Sequence, residues 1–275
     1  MVKIYCNADL QENSTFLSFA QTLPQTFDRL GEVVHDARNQ LRKVEVKEWR
    51  IPDLPAVMIK RYHGLFFFQR IWYTFFRAPK CRRAYNNTVE LRRRGFPAVE
   101  EVACVEVWTH GLFKYGFFVS KVGRGKRLDN LVISMQEQES KKEIHTIIKQ
   151  YASMVKELHD HGVLYMDMNC GNVLCERDAG TGGWHFSLID TNRVRFYEPG
   201  RILDLETAMP DLILMNPRMG TVECFIGEYL RLHGCYSEEE VRRIRHIQYQ
   251  RHERQRPFKE NFKWFKKWYF RWLAQ

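Results

Sequence analysis

The sequence contains no long hydrophobic run. Its most apolar stretch, GLFFFQRIWYTFF at residues 64–76, is interrupted by Gln69 and Arg70 and is shorter than the ~20 residues of a membrane-spanning helix. The N-terminal segment MVKIYCNADLQENST carries Asp9 and Glu12, where a secretory signal peptide needs an uninterrupted apolar segment. We therefore expect a cytoplasmic protein without a membrane-spanning helix.

The sequence also lacks a cysteine pattern. Its 7 cysteines are scattered, and none of them forms a C-x-x-C pair. Disulfide frameworks and zinc clusters use paired or regularly spaced cysteines, and an odd total leaves at least one cysteine over. Neither kind of site is predicted, and a reducing compartment is the expected environment.

Basic residues outnumber acidic residues in the sequence. The 275 residues include 43 Lys and Arg against 33 Asp and Glu, so the formal net charge is +10. A basic balance favours acidic partners such as phosphates, nucleic acid or an anionic membrane face. The sequence shows no RNA- or DNA-binding module, so nucleic acid is not predicted as a partner.

Hydrophobic periodicity predicts a strand-rich first part of the chain. Residues 26–60 contain three strand-like segments, VVHDA, KVEVKEW and PAVMIKRY. A helix is predicted at residues 81–95, with Ala84, Thr88 and Leu91 on one face and Gly95 at its end. Two more strand-like segments, VACVEVW and GFFVSKV, follow around a turn at His110 and Gly111.

From Ser140 onward the hydrophobic period becomes helical. A long helix is predicted between a capping box at Ser140 and Glu143 and a stop at Gly162. Three short apolar segments, VLY, NVLC and FSLID, follow and are predicted to be strands. After them the chain is predicted to be mostly helical, with a second capping signal at Ser237 and Glu240.

Two carboxylates and an amide stand at the ends of these short predicted strands. Asp167 and Asn172 lie between VLY and NVLC, and Asp190 ends FSLID. Oxygen ligands of this kind suit Mg²⁺, and a carboxylate can accept the proton of a hydroxyl group. The set therefore indicates phosphoryl transfer from a nucleotide.

A lysine and a glutamate upstream complete the pattern. Lys60 ends the β-branched segment AVMIK, and Glu90 lies on the next predicted helix. A lysine on a buried strand needs a counterion, which a helix glutamate can supply while the lysine reaches nucleotide phosphates. The order of lysine, helix glutamate, Asp-x-x-x-x-Asn loop and strand-end aspartate resembles that of the protein-kinase-like fold.

Four stretches carry a narrower resemblance, to the lipopolysaccharide core kinases of the Kdo/heptose kinase family. They are GEVVHDARNQLR, MIKRY with the aromatic stretch after it, HDHGVLYMDMNCGN and LIDTNRVRF, where Asp-x-Asn-Arg replaces the Asp-Phe-Gly of protein kinases. The resemblance implies Asp167 as the catalytic base, Asn172 and Asp190 as metal ligands, Lys60 as the phosphate-binding lysine with Glu90 as its partner, and Lys121 and Val122 as further nucleotide-binding residues.

The resemblance implies an α+β, protein-kinase-like bilobal fold. A strand-rich N-lobe would span residues 1–119 and a helical C-lobe residues 120–275, with ATP between them and Mg²⁺ on Asn172 and Asp190. The implied reaction is phosphorylation of a sugar hydroxyl, Kdo above all, in the inner core of lipid A at the cytoplasmic face of the inner membrane. Lys60, Asp167, Asn172 and Asp190 would then converge on one cleft.

Two features depart from the kinase pattern. Tyr165 and Met166 stand where the residues before the catalytic Asp are usually His and Arg, and no G-x-G-x-x-G precedes Lys60. Backbone amides of another tight turn can cover a phosphate. The alternatives are a kinase of proteins or small alcohols, and a non-catalytic pseudokinase adaptor. His159, His161 and His185 lack a metal motif and are interpreted as turn or surface residues.

The positive charge is concentrated in the C-terminal tail, residues 242–275. Its aromatic residues recur at helical spacing with lysines on the opposite arc, which predicts an amphipathic basic helix. A second basic and aromatic patch follows Lys60 without one acidic residue. Both features favour an anionic membrane surface as partner and a peripheral location. The alternative for the tail is a final core helix of the C-lobe.

Overall fold

The computed structural model describes residues 1–36, 39–215 and 220–254. Helices and antiparallel strands are both present, which confirms the predicted α+β class, and the chain divides into two compact units. The first unit comprises Met1–Lys126 and Val173–Val194, and the second comprises Arg127–Asn172 and the described part of Arg195–Gln275. This division is discontinuous in the sequence, whereas the predicted lobes meet at a single boundary after residue 119.

A six-stranded antiparallel sheet forms the main part of the first unit. Its strands are β1 (Val2–Cys6), β2 (Glu32–Asp36), β3 (Gln40–Glu45), β4 (Ala56–Tyr62), β5 (Glu101–Thr109) and β6 (Leu112–Lys121), and they pair in the order β1-β5-β6-β4-β3-β2. Of the three strand segments predicted within residues 26–60, VVHDA and PAVMIKRY correspond to β2 and β4. The segment KVEVKEW overlaps the end of β3, but its second half, Lys47–Trp49, is a 3-10 helix, so that part of the prediction is wrong. The predicted pair around His110 and Gly111 is β5 and β6. Strand β1 was not predicted, and it pairs with β5.

Three helices belong to the first unit: α1 (Ser14–Thr26), α2 (Phe67–Phe75) and α3 (Lys80–Arg93). Helix α1 contributes Phe16 to a core in which its ring lies 5.1 Å from that of Trp49. Helix α3 confirms the prediction for residues 81–95, because Ala84, Thr88 and Leu91 are buried. Gly95 follows the helix with a φ of +86°, a left-handed conformation in which glycine carries no side-chain penalty.

Five short strands complete the sheets: β7 (Lys126–Arg127), β8 (Val163–Leu164), β9 (Val173–Arg177), β10 (Trp184–Leu188) and β11 (Arg195–Phe196). A three-stranded sheet has the order β10-β9-β7, and β8 pairs with β11. The predicted segments VLY, NVLC and FSLID correspond to β8, β9 and β10, so these predictions are confirmed. Strand β8 ends shortly before Asp167, β9 begins directly after Asn172, and β10 ends shortly before Asp190.

The second unit is mainly helical. Its helices are α4 (Leu128–Glu137), α5 (Lys141–Asp160), α6 (Leu205–Leu212) and α7 (Val222–His233), and residues 238–254 are also helical. The predicted helical spacing is confirmed in α5, whose buried residues include Ile144, Ile147, Ile148, Tyr151, Val155 and Leu158. Helix α7 packs on α5, with the rings of Phe225 and Tyr151 at 5.2 Å.

The two predicted capping signals have different outcomes. Ser237 caps its helix as predicted, because its Oγ accepts a hydrogen bond from the backbone amide of Glu240 at 3.0 Å. Ser140 precedes α5, but its side chain makes no capping hydrogen bond, so the capping box predicted there is wrong. The sequence motif requires a side-chain rotamer aimed at the first helical turn, which residue spacing alone does not determine.

One sequence prediction concerns residues outside the described ranges. The aromatic stripe of the basic tail lies within residues 255–275, and Ala37, the last residue of the predicted segment VVHDA, also lies outside them. Among the described residues, no helix is both long and apolar enough to cross a membrane.

Candidate active site

Lys60 occupies an interior strand of the six-stranded sheet. Strand β4 pairs with β3 on one side and with β6 on the other, where Lys60 lies opposite Leu41 and Phe118. Side chains alternate along a strand, so Ile59 points into the hydrophobic core and Lys60 points to the opposite face together with Tyr62. The lysine is thereby held on a rigid strand on the face away from that core.

The partner of Lys60 is Asp190. The Lys60 Nζ lies 2.7 Å from Asp190 Oδ2, and the two side chains are 21% and 24% exposed. Asp190 Oδ1 accepts hydrogen bonds from Asn192 Nδ2 at 2.6 Å and from the Tyr62 hydroxyl at 3.4 Å. Both carboxylate oxygens of Asp190 therefore have donors within the first unit.

These contacts determine the charge of the Asp190 carboxyl. Burial alone would raise its pKa, but the Lys60 ammonium and the hydrogen bonds from Lys60, Asn192 and Tyr62 outweigh burial and hold the pKa below its usual value. Burial of the Tyr62 hydroxyl, together with the nearby Asp190 carboxylate, raises the pKa of Tyr62 well above its usual range. The Asp190 carboxyl is consequently ionised at neutral pH.

The backbone at Asp190 is unusual. Its φ of 64° and ψ of 46° are left-handed, a conformation that is uncommon outside glycine and that tertiary contacts must maintain. Helix α3 supplies those contacts. Asn87 Nδ2 donates to the carbonyl oxygen of Thr191 at 2.7 Å, and the hydroxyls of Thr88 and Thr191 lie 2.8 Å apart. The helix thus fixes the segment that immediately follows Asp190.

Glu90 has different partners from those predicted. Its carboxylate accepts hydrogen bonds from Arg93 at 2.6 Å and from Arg94 at 2.7 Å, which lower the pKa of Glu90 to about 2. Lys60 is paired with Asp190, so the predicted Lys60–Glu90 pair is a wrong assignment. The physical reason is rotation about the helix axis: α3 turns Asn87 and Thr88 toward Thr191, and Glu90 reaches the arginines of its own last turn.

A cluster of basic side chains lies near the same segment. The pKa of Arg83 is lowered by its burial and by the positive charges of Arg77 and Arg193. The Arg83 Nε atom is buried and has no hydrogen-bond partner among the described residues. An anion beside this cluster would offset the repulsion between its members.

The second unit contains the loop with Asp167 and Asn172. The loop folds around the carbonyl oxygen of Asp167, which accepts from the backbone amide of Asn169 at 2.8 Å and from Asn172 Nδ2 at 2.9 Å. Because the amide nitrogen of Asn172 is used in this way, its side-chain oxygen is the atom suited to a metal ion. The Asp167 side chain is half-buried.

A buried carboxylate anchors this loop from α6. Asp211 accepts hydrogen bonds from the backbone amides of Tyr165 at 2.7 Å and Met166 at 2.6 Å, directly before Asp167. Its Oδ2 also lies 3.2 Å from His159 Nε2, and His159 Nδ1 lies 2.8 Å from the Tyr229 hydroxyl. Such contacts maintain the left-handed φ of 66° at Met166.

Sequence reasoning missed this anchor. His159 was interpreted as a turn or surface residue, but it is completely buried at the end of α5, so that prediction is wrong. Its role becomes visible only when α6 and α7 bring Asp211 and Tyr229 to it. The interpretation of His185 as a surface residue is confirmed, since it is exposed and pairs with Asp178 at 2.6 Å.

Lys121 and Val122 lie at the end of β6. The ammonium of Lys121 pairs with Glu100 at 3.1 Å, and Val122 is exposed immediately after the strand. Their assignment as nucleotide-binding residues stays a prediction.

The assignment of Asn172 and Asp190 as metal ligands stays a prediction. Asp190 offers an ionised carboxylate and Asn172 an amide oxygen, which are ligands that Mg²⁺ accepts. A separate buried group, Cys81, Cys104 and Glu106, is close enough to hold an ion. However, Glu106 already receives two hydrogen bonds from Arg82, at 2.8 and 2.7 Å, so its charge is compensated.

The four residues predicted to converge are found in two pairs. Lys60 and Asp190 meet within the first unit, and Asp167 and Asn172 are hydrogen-bonded within the second. A shared cleft for all four stays a prediction.

The chain has a strand lysine paired with a strand-end aspartate. It also has an Asp-x-x-x-x-Asn loop that is held by a buried carboxylate. Both features are typical of the protein-kinase-like class of phosphotransferases. The model of the lipopolysaccharide kinase (Kdo/WaaP) family matches residues 43–201, and the chain belongs to that family. It is therefore a lipopolysaccharide kinase. The matched range contains Lys60, Glu90, Asp167, Asn172 and Asp190.

A solved structure supports the fold. The chain is similar to "WaaP in complex with acyl carrier protein", with a TM-score of 0.55 and 16% sequence identity, over 92% of this chain and 97% of that chain. At this identity the similarity establishes the fold, and it confirms the predicted protein-kinase-like architecture. No curated protein sequence matches the chain.

Proposed function

We propose that the protein transfers the terminal phosphoryl group of ATP to a hydroxyl of Kdo in the inner core attached to lipid A. The observation that carries the proposal is the Lys60–Asp190 pair, which lies inside the region matched by the lipopolysaccharide kinase family. A fixed cation for phosphate oxygens beside an ionised metal ligand is what phosphoryl transfer requires.

In this proposal Lys60 and Asp190 have separate roles. Lys60 binds oxygens of the nucleotide phosphates, and Asp190, together with Asn172, holds Mg²⁺. The metal ion supplies positive charge that offsets the charge of the transferred group. Tyr62 and Asn192 orient the Asp190 carboxylate, because each donates a hydrogen bond to its Oδ1 atom. Lys121 and Val122 are proposed to contact the nucleotide as well.

Asp167 is the proposed base. It accepts the proton of the acceptor hydroxyl as the oxygen attacks the terminal phosphorus, and the bond to the leaving diphosphate breaks. Its backbone carbonyl is fixed by Asn169 and Asn172, and the two preceding amides are fixed by Asp211. Orientation of this kind supplies much of the rate in reactions that need little covalent chemistry from the protein.

The proposed site of action is the cytoplasmic face of the inner membrane, with the protein bound peripherally to anionic lipid. This location follows from the acceptor, since the sugar core is attached to lipid A and ATP is a cytoplasmic substrate. The partners in the proposal are therefore the lipid-linked sugar acceptor and the membrane surface that presents it.

The test compares lipopolysaccharide cores from cells with and without the gene by mass spectrometry. We expect the loss of one phosphate on Kdo in the absence of the gene, restored by the wild-type chain and not by the matched Asp167→Asn variant. An unchanged phosphate content would contradict the proposal. A missing phosphate on heptose would retain the kinase and replace the acceptor.

A purified assay separates the alternatives. We expect transfer of phosphate from ATP to Kdo-linked lipid A. An acceptor without heptose should be phosphorylated as well. Turnover with a protein or a small alcohol and none with the lipid-linked sugar would indicate a kinase of another class. Binding of Mg²⁺ and nucleotide without transfer to any acceptor would indicate a pseudokinase adaptor.

A further inference from the structure

One face of helix α2 is attached to the first unit. Arg70 Nε donates a hydrogen bond to the carbonyl oxygen of Phe113 at 3.1 Å, and the backbone amide of Phe113 donates to Thr74 Oγ1 at 2.9 Å. The ring of Tyr73 packs edge-on against that of Phe113 with centroids 6.1 Å apart. Residues 70, 73 and 74 share one side of a helix, so this side is fixed to the start of β6.

The opposite side of α2 consists of exposed aromatic rings. Phe68, Trp72, Phe75 and Phe76 are 65%, 52%, 70% and 70% exposed, and they recur at helical spacing. The rings of Trp72 and Phe76 stack at 5.2 Å, which joins them into one surface. We call Phe68, Trp72, Phe75 and Phe76 the aromatic face of α2.

This arrangement reverses the usual amphipathic helix. In a water-soluble domain the apolar stripe faces the core and the polar stripe faces solvent. Here a cation and a hydroxyl face the protein, and four large aromatic rings face outward. Contiguous exposed apolar surface of this kind marks an interaction site.

The surrounding charge indicates which partner covers the face. Residues 54–89 contain no Asp or Glu and seven basic residues, namely Lys60, Arg61, Arg70, Arg77, Lys80, Arg82 and Arg83. Three of these basic residues form ion pairs with acidic residues elsewhere in the chain: Lys60 with Asp190, Arg61 with Asp28 and Arg82 with Glu106. Arg77 follows the helix directly and is exposed. Arg83, one turn into α3, has a buried Nε atom without a hydrogen-bond partner among the described residues, and Arg77 and Arg193 add to the positive charge around it.

Aromatic rings beside cationic side chains suit the interface of an anionic bilayer. Phe and Trp side chains favour the zone between head groups and acyl chains, while Arg and Lys interact with the negatively charged head groups. We propose that the aromatic face of α2, with Arg77 and Arg83 beside it, binds the interface of an anionic membrane without crossing it.

The position of α2 connects this surface with the strand that carries Lys60. Strand β4 carries Lys60, and only residues 63–66 separate the end of β4 from α2. Membrane binding through α2 would therefore hold the strand with the phosphate-binding lysine next to the surface that presents a lipid-linked acceptor. The inference rests on the proposed function in this respect alone, because lipid binding itself requires neither nucleotide nor transfer.

The test uses vesicles of phosphatidylglycerol and phosphatidylcholine with the full chain. The triple variant Trp72→Gln, Phe75→Gln and Phe76→Gln removes exposed rings and keeps helix-forming side chains. We expect its affinity for phosphatidylglycerol vesicles to fall by about tenfold or more in co-sedimentation. The matched control, Ile133→Gln with Tyr249→Gln, changes two exposed apolar residues of the second unit and should bind like wild type.

Charge is tested separately. The double variant Arg77→Gln and Arg83→Gln should weaken binding to phosphatidylglycerol and flatten its salt dependence between about 0.1 M and about 1 M, where the screening length falls from ~10 Å to ~3 Å. Asp167→Asn should bind vesicles like wild type. If that variant loses transfer and retains lipid binding, phosphate transfer and membrane binding are separable, and each proposal can fail without the other.

Three outcomes would overturn the inference. The first is wild-type vesicle binding by the aromatic triple variant at an unchanged melting temperature. The second is a change in oligomeric state, or loss of a protein complex, in that variant while vesicle binding stays the same, which would assign the face to a protein. The third is equal binding of wild type to neutral and anionic vesicles. If the triple variant does not fold, Trp72→Gln alone is measured by the same criteria.

Discussion

The Lys60 ammonium lies 2.7 Å from the Asp190 carboxylate, so the lysine of strand β4 is neutralised by the residue that ends the predicted segment FSLID. The sequence interpretation had assigned Glu90 to this task. The pair unites a group that can bind phosphate with one that can bind a metal ion, and it is held between a rigid sheet and a segment fixed by α3.

Replacing the Asp190 carboxylate should stop transfer without unfolding the protein. Asp190→Asn preserves the tolerance for a left-handed backbone but removes the negative charge and weakens metal binding. We expect phosphate transfer to fall by at least about a hundredfold, with nucleotide binding in the absence of metal retained. Transfer is measured with purified acceptor and the fold by circular dichroism. Activity similar to wild type would refute the metal assignment.

Lys60→Met should weaken the pH dependence that Asp190 gives to stability. In wild type the pKa of folded Asp190 is lowered, so its contribution to the free energy of unfolding is present above the unfolded pKa of about 4 and is lost as the pH falls through the folded value. Without the ammonium, burial of Asp190 is opposed only by the hydrogen bonds from Asn192 and Tyr62, so the pKa of the folded carboxyl rises.

The measurement is urea denaturation across the acid range. At neutral pH Lys60→Met should be less stable than wild type by about 2 kcal/mol, and the difference should shrink as the pH falls below about 4. Adding Asp190→Asn to the variant provides the control, because it removes the titrating group. A stability difference that is the same at every pH would contradict the assigned interaction.

Glu90→Gln should leave transfer almost unchanged. The carboxylate pairs with Arg93 and Arg94, and exposed or half-exposed ion pairs of this kind contribute about 0–1 kcal/mol to stability. Steady-state kinetics with ATP and the acceptor provide the measurement. A loss comparable with that of Lys60→Met would show that Glu90 does act on the nucleotide, as the sequence had suggested.

Asn87→Ala, on the same helix, should have a larger effect than Glu90→Gln. It removes the hydrogen bond to the Thr191 carbonyl and loosens the segment after Asp190. We expect a lower kcat and weaker metal dependence, with the KM for the acceptor unchanged, because Asn87 is a positioning residue. Rescue by Asn87→Gln would support a hydrogen-bonding role, whereas equal losses in both substitutions would indicate packing alone.

Asp211→Ala should destabilise the second unit and impair transfer. It leaves the amides of Tyr165 and Met166 and the ring of His159 without their buried acceptor, at a cost of about 3 kcal/mol. Asp204→Ala is the matched control on α6, because Asp204 only caps the helix through Thr207. Chemical denaturation of both variants tests the difference, and equal stability would contradict the anchoring role.

Periodicity identified many of the elements that position the site. Strands β2–β6, helices α3 and α5, and strands β8–β10 were predicted from residue spacing, since alternation and helical period are properties of short stretches. Strand β1 and helix α1 were not predicted. Helix α1 buries Phe16, Ala20 and Leu23 at helical spacing, a pattern that the sequence interpretation missed. Strand β1 is a half-buried edge strand, so it has no strong alternation.

The sequence by itself determined which chemical groups this protein carries and in what order, because strand-end aspartates, an asparagine and a strand lysine are visible in local patterns. The tertiary structure decided which group each one meets. In the folded chain Lys60 forms an ion pair with Asp190, and Glu90 forms one with Arg93. His159 is buried against Asp211, and the aromatic face of α2 is exposed. Ion pairs and hydrogen bonds act over a few ångströms, and only the folded chain determines which side chains come that close.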